Sequence, residues 1–360
     1  MSNPLLFQPL SLRSVTLPNR IVVSPMCMYS AIDGVASAWH HVHLGSLAIS
    51  GCGLVLAEAT AVEARGRITP DCLGLWNEEQ EQALARVMAT IREISQTPIG
   101  IQLGHAGRKA SHRRPWSGRG YCGPDERGWT SIGASANSYE GIAPPAVAMN
   151  DHDLVEVREA FATATARAAR AGFDVVEMHA AHGYLLSSFL SPLSNERTDA
   201  YGGSLDNRMR FPLEVFEAMR AAWPDDKPLG VRFSGTDWAD ERGGWNEDDT
   251  AAFAVALAER GCDFLDISSG GNVAADIKVA PGFQVPWAAV AKRASGLPTM
   301  AVGELDDPKL AEEILQRGEA DAIAIGRGFL RNPRWPWLAA ETLGGTVTYP
   351  PQYDWCVGNR

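Results

Sequence analysis

The chain has 360 residues, 45% hydrophobic and 21% charged, which is enough apolar content to bury a large core. A formal net charge of −11 argues against a nucleic-acid partner, because phosphate backbones need a concentrated positive field. No apolar run reaches the roughly 18 residues of a membrane-spanning helix, the N-terminal stretch lacks a signal-peptide layout, and cysteines 27, 52, 72, 122, 262 and 356 stand singly, so a cytoplasmic protein with reduced thiols and no membrane contact is expected.

In chain order, short apolar runs alternate with helical patterns. Strands are predicted at 20–24, 53–58, 99–103, 174–178, 229–233, 264–268, 299–302 and 322–325. Helical spacing fills the intervals near 39–50, 78–95, 151–171, 207–222, 247–260, 286–295 and 307–317, with Asp151 as the cap of the third. The stretch 113–145, with Trp116, Gly118, Gly120, Trp129 and Pro144-Pro145, reads as an irregular loop or lid after the third strand. Eight strands alternating with helices, without a linker between halves, predict one (β/α)8 TIM-barrel domain over 1–360, ending in a C-terminal tail. The competing open, doubly wound sheet lacks its usual G-x-G-x-x-G after the first strand.

Barrels place their chemistry at the carboxyl ends of the strands. Here those ends carry Ser24-Pro25-Met26-Cys27-Met28-Tyr29, Glu58-Ala59-Thr60, Gln102 and His105, then His179, His182 and Tyr184, then Arg232 and Gly326-Arg327-Gly328. Gly303 and Gly326-Arg327, after strands seven and eight, suit a phosphate held on backbone N–H groups and a guanidinium. With Gln102 and Arg232 rising from strands three and five, the set reads as a bed for a flat phosphorylated cofactor. Each group also has a plainer reading. His179 and His182 form an H-x-x-H that could hold a metal with Glu58, Glu177 or Asp266, as in a metal-dependent barrel hydrolase. Tyr184 could be a packed aromatic and Cys27 an inert buried thiol. Arg232 could serve an internal ion pair with Glu177 or Glu58. The cluster His40-His41-His43 reads as structural or solvated.

The segment His179-Ala180-Ala181-His182-Gly183-Tyr184-Leu185, then Ser191-Pro192-Leu193-Ser194-Asn195 and Arg197-Thr198-Asp199-Ala200-Tyr201-Gly202-Gly203-Ser204, resembles the old yellow enzyme family of FMN-dependent ene-reductases. Ser24–Tyr29 and His105-Ala106-Gly107-Arg108-Lys109-Ala110 resemble its thermophilic-like (class II) branch, which includes xenobiotic reductase A-type enzymes. The resemblance implies FMN, with NADPH, or NADH as the alternative, as hydride donor, and activated alkenes such as enones or nitroalkenes as small-molecule substrates. It assigns Ser24, Pro25, Met26 and Cys27 to the flavin, Cys27 tuning its reactive edge. Ala59, Gln102 and Arg232 would contact the ring, and Gly303, Gly326 and Arg327 the phosphate. His179 and His182 would hold the substrate oxygen, Tyr184 would donate a proton, and Tyr29 would touch the substrate. A non-catalytic flavin-binding protein would keep the bed and not depend on Tyr184.

Class II relatives reach into a neighbouring subunit's site with a C-terminal Arg or Trp. Trp355 is the candidate here, which implies a homodimer or homotetramer. Val302 stands where some relatives place a Trp beside the flavin, and this implies room for bulky substrates.

Overall fold

Runs that are apolar on both faces find a stable home in a parallel sheet covered by helices. The structure, a computed structural model describing residues 3–357, closes that sheet into a barrel. Its strands are β1 (Ile21–Val23), β2 (Leu54–Ala61), β3 (Ile99–Gly104), β4 (Val175–Ala180), β5 (Leu229–Ser234), β6 (Phe264–Ser268), β7 (Thr299–Ala301) and β8 (Ala322–Ile325). All neighbours pair in parallel, and β8 closes on β1 with Ile323 opposite Ile21. Each strand lies where its apolar run predicts it. The (β/α)8 architecture is therefore present in full.

The covering helices are α1 (Ala38–Ala48), α2 (Glu78–Ile94), α3 (Asp151–Ala171), α4 (Leu205–Ala222), α5 (Glu247–Glu259), α6 (Val285–Ser295), α7 (Pro308–Gln316) and α8 (Trp335–Leu343). Helix α2 shows why they form. Asn77 caps its first turn by accepting from Gln80 N, Glu78, Glu79 and Glu81 complement the positive end of the helix dipole, and Leu84, Val87 and Ile91 are turned to the core at helical spacing. Each of those three buried side chains contributes about 1.5–3 kcal/mol. At α3 the cap is Asn150 rather than the expected Asp151. Asn150 accepts from both His152 N and Asp153 N, while Asp151 supplies negative charge inside the first turn.

Two features position the site. A hairpin of Leu10–Leu12 against Val15–Leu17 closes the amino-terminal mouth of the barrel. Its Leu12 and Leu17 pack with Val22, Leu54, Leu56, Val175, Phe264, Met300, Ala322 and Ala324 in an apolar interior layer. The next residues along the strands make a polar layer above it. Gln102 is in register with Glu177, Asp266 with Arg232, and Arg232 with His179. Among the described residues no helix is long and apolar enough to cross a membrane.

Candidate active site

Strand β4 ends in His179, and the chain then turns sharply. His182 adopts a left-handed conformation (φ 62°), unusual for a residue with a side chain. Gly183 follows at φ 71°, and a Cβ there would lie 1.9 Å from the Gly271 carbonyl oxygen, so only glycine lets the loops after β4 and β6 touch backbone to backbone. Neighbours hold the turn in place. Ser234 Oγ accepts from His182 N at 2.9 Å, and Lys109 Nζ donates to the carbonyls of His182 (2.8 Å) and Gly271 (3.0 Å). Strain kept by so many contacts is typical of functional sites.

The turn brings His179, His182 and Tyr184 together, as the sequence predicted. Ring centroids lie 5.2 Å apart for the two imidazoles, 5.1 Å for His179 and Tyr184, and 6.4 Å for His182 and Tyr184, all edge to face. A donor chain sets the tautomers. Ala181 N donates to His179 Nδ1 at 3.2 Å, which leaves the proton on His179 Nε2, 3.4 Å from His182 Nδ1. His182 Nε2 lies 2.7 Å from Ser268 Oγ, which donates onward to Gln284 Oε1 at 3.1 Å.

Burial dominates the electrostatics. It pushes His179 down to about 3, aided by the Arg232 and Lys109 charges, and takes His182 well below its usual range. Both imidazoles are therefore neutral at pH 7. Burial likewise raises Tyr184 and Tyr29 above the ordinary phenol range, so each keeps its proton. Cys27 retains partial solvent access, yet desolvation and the neighbouring Cys72 and Glu58 raise its thiol well above the usual value. The loop carrying Cys27 and Tyr29 is fastened from below: Glu58 accepts from Met28 N at 3.0 Å and meets His40 Nε2 at 3.3 Å. His40 thus has a structural task.

The remaining predicted residues sort into two spaces. A cavity of about 270 Å³ is lined by Ser24, Pro25, Met26, His182, Arg232, Val302, Gly303, Gly326 and Arg327. Ala59, His179 and Tyr184 border a smaller niche with Thr60 and His105. Gln102 lies buried below, donating to Glu177 Oε1 at 2.7 Å. Arg232 pairs with Asp266 (3.3 Å), not with Glu177 or Glu58 as anticipated, because Asp266 is its register partner on β6 while Glu58 is taken by Met28 and His40. Trp355 lines neither space. It is 98% exposed in the terminal turn Asp354–Val357.

Sequence reasoning gave no role to Lys109, Ser268, Gln284 or Trp116. Lys109 lay inside a quoted motif. Ser268 was legible only as the end of β6. Gln284 had no local signal, and Trp116, edge to face with Tyr29 at 5.9 Å, was legible only as part of the loop or lid at 113–145. Among the described residues no three His, Cys, Asp or Glu side chains converge to hold a metal ion.

Residues 5–344 match the family model described as the NADH:flavin oxidoreductase / NADH oxidase family. The chain belongs to that family. An NADPH dehydrogenase from Geobacillus thermodenitrificans is 42% identical over 354 residues, covering 98% of both chains, and one from Bacillus subtilis is 43% identical over 351 residues, covering 97% of this chain and 98% of the relative. Among solved structures, morphinone reductase superposes with a TM-score of 0.79 at 29% identity, over 98% of this chain and 93% of the other. An old yellow enzyme homologue from Zymomonas mobilis shares the fold (TM-score 0.78, 24% identity, 99% of this chain and 100% of the other). This member of the NADH:flavin oxidoreductase family is an FMN-dependent NAD(P)H oxidoreductase of the old yellow enzyme type.

The residues present fit FMN. Ser24 Oγ is buried without a hydrogen-bond partner, and both Ser24 and the Arg232 side chain border the cavity. Gly303, at φ 125°, is packed against Gln284 and Phe283 so that any side chain would intrude. Gly326 leads into the short helix Arg327–Arg331, as at phosphate sites of other barrels.

Proposed function

We propose that the protein is an ene-reductase, reducing the activated C=C bond of α,β-unsaturated carbonyl or nitro compounds with electrons from NADPH in two alternating half-reactions. One observation carries the reading: two imidazoles and a phenol converge beside a cavity that fits FMN. In this reading Ser24, Pro25, Met26, Cys27, Ala59, Gln102 and Arg232 hold the ring system of FMN, and Gly303, Gly326 and Arg327 its phosphate. When bound, FMN supplies a two-electron store that accepts hydride from NADPH and releases it to the substrate.

The chain's own residues do the rest. His179 donates a hydrogen bond from its Nε2–H to the substrate's carbonyl or nitro oxygen, where negative charge develops as the β-carbon is reduced. For His182 to add a second donor from Nδ1, its Nε2 must become an acceptor, and the Ser268 hydroxyl 2.7 Å away can turn to donate into it. Neutral imidazoles suit this role, since each offers one N–H without an ammonium-like desolvation cost. Tyr184, kept protonated by its surroundings, delivers a proton to the α-carbon. Tyr29 and Trp116 close over the substrate, and Cys27, held as a thiol, shapes the reactive edge.

Isotope placement tests this. Cyclohexenone reduced by unlabelled NADPH in D2O should gain deuterium at the α-carbon and hydrogen at the β-carbon. Saturated product without deuterium at the α-carbon, or no saturated product, contradicts the reading. Trp355 carries a second element of the proposal: its almost wholly exposed indole enters the active site of a second copy in a homodimer or homotetramer.

A further inference from the structure

The polar layer beneath the cavity contains two carboxyl groups that nothing so far has used. Glu177 on β4 and Asp266 on β6 are both wholly buried. Glu177 Oε1 accepts from Gln102 Nε2 at 2.7 Å, and Asp266 Oδ2 lies 3.3 Å from Arg232 Nε. Yet Glu177 Oε2 and both oxygens of Asp266 find no N–H or O–H donor. A buried carboxylate oxygen left in that state is costly, and two such carboxylates within hydrogen-bonding reach of each other across Arg232 cost more. One proton placed between them removes both penalties.

We infer that Glu177 and Asp266 share a single proton, with Glu177 donating to Asp266, and that the pair are positioning residues fixing Gln102 and Arg232 under the cofactor. The charges facing Glu177 are Arg232 from β5 and Asp266 from β6, with Gln102 from β3 as its neutral partner. Those facing Asp266 are Arg232 and Glu177. With Glu177 protonated, Asp266⁻ and Arg232⁺ cancel and the layer carries no net charge. Desolvation first, and the Asp266 charge second, push Glu177 up to about 8, while the contact with Asp266 holds it as the protonated partner. Burial raises Asp266 as well, but Arg232 opposes that shift and favours keeping the charge there. The pair thereby gives Gln102 one fixed acceptor. It also holds Arg232 at the cavity wall without leaving an uncompensated charge beneath a ring that becomes negative when reduced.

The shared proton can be tested without the cofactor. Glu177→Gln imitates the protonated acid, since its amide accepts from Gln102 and donates to Asp266. Between pH 4.5 and about 8 folded Glu177 holds a proton that the unfolded chain has released, so raising the pH favours unfolding. Relative to E177Q, wild-type apoprotein should lose up to tenfold in its folding constant per pH unit across that window and then level off. Infrared spectra of wild type should show a carboxylic-acid carbonyl band that is absent in E177Q and fades above about pH 8. A stability difference that does not change with pH, together with no such band, overturns the proposal. The band and its titration in wild type decide the matter even if E177Q does not fold.

The positioning role rests on the reading that Arg232 faces FMN, and its readout is the flavin midpoint potential of the holoenzyme. Asp266→Asn should raise the potential, because Arg232 is then uncompensated. Wild type should fall below E177Q above about pH 8, as ionised Glu177 adds negative charge under the ring. Unmoved potentials in both comparisons overturn the positioning role. If Arg232→Met also leaves the potential unmoved, the fault lies with the placement of Arg232 against FMN, and the apoprotein titration still decides the shared proton.

Discussion

His182 Nε2 and Ser268 Oγ stand 2.7 Å apart, and through this contact the end of β6 governs a histidine at the end of β4. Ser268 donates to Gln284, so the serine hydroxyl is the rotor that permits either tautomer of His182. Ser268→Ala removes it. The loss of one hydrogen bond to a buried ring, about 1–2 kcal/mol, should lower kcat/KM for an enone roughly five- to thirtyfold. NADPH-driven flavin reduction should be little affected. Stopped-flow measurement of the two half-reactions separates these effects, and equal losses in both would count against the rotor.

Tyr184→Phe should divide the half-reactions more sharply. The phenol has no part in accepting hydride from NADPH, so that step should proceed near the wild-type rate. Reoxidation by cyclohexenone should fall about 10²–10⁴-fold, the usual worth of a positioned general acid. A variant that reduces enones at the normal rate would assign the proton to another donor, such as solvent.

The depressed pKa values of His179 and His182 make two statements about pH. Between the unfolded value of 6.5 and the folded value of about 3 for His179, the unfolded chain binds protons that the folded chain refuses. Stability from these residues is therefore present above pH 6.5 and lost as the pH falls below it, by up to about 1.4 kcal/mol per pH unit for each. The double variant His179→Asn, His182→Asn should show a shallower fall in Tm than wild type between pH 6.5 and 4. In wild type the kcat/KM profile for an enone should show no histidine ionisation between pH 5 and 8. A step near pH 6.5 would mean that at least one imidazole is solvated and titrating.

Trp355 gives the proposal about assembly its test. Ending the chain before Tyr353 also removes the ring that packs at 5.5 Å against Trp337, but it leaves the barrel strands and both cavities intact. KM for cyclohexenone should rise roughly tenfold, as expected when one well-placed aromatic contact worth about 0.5–1.5 kcal/mol beyond its buried area is lost. Unchanged kinetics, with a monomer by sedimentation, would remove the shared site.

Much of this molecule is legible before any coordinates. Strands buried on both faces are largely apolar, and 54–57 and 322–325 stand out for that reason. His179, His182 and Tyr184 lie within six positions of one strand end, so local sequence is enough to bring them together. What escapes are relationships made by the barrel's closure. For Arg232 the sequence offered Glu177 or Glu58, and only the β5–β6 register brings Asp266 to it. Lys109 reaches His182 and Gly271 across 73 and 162 residues of chain. The hairpin at Leu10–Leu17 did leave a signal, alternating Leu10, Leu12, Val15 and Leu17 about a two-residue turn, but its apolar face has a use only once there is a barrel mouth to close. The cap at Asn150 was missed by one position because Asn150 and Asp151 are both good capping residues, and helix boundaries blur at that scale.

The most direct test of the account is one cuvette of purified protein followed by visible spectroscopy under anaerobic conditions, first with NADPH and then with cyclohexenone. The account predicts a bound yellow flavin that bleaches with NADPH and regains its colour with the enone, in equimolar amounts. A flavin that bleaches and stays bleached would keep the family's cofactor chemistry and contradict the roles given to His179, His182 and Tyr184.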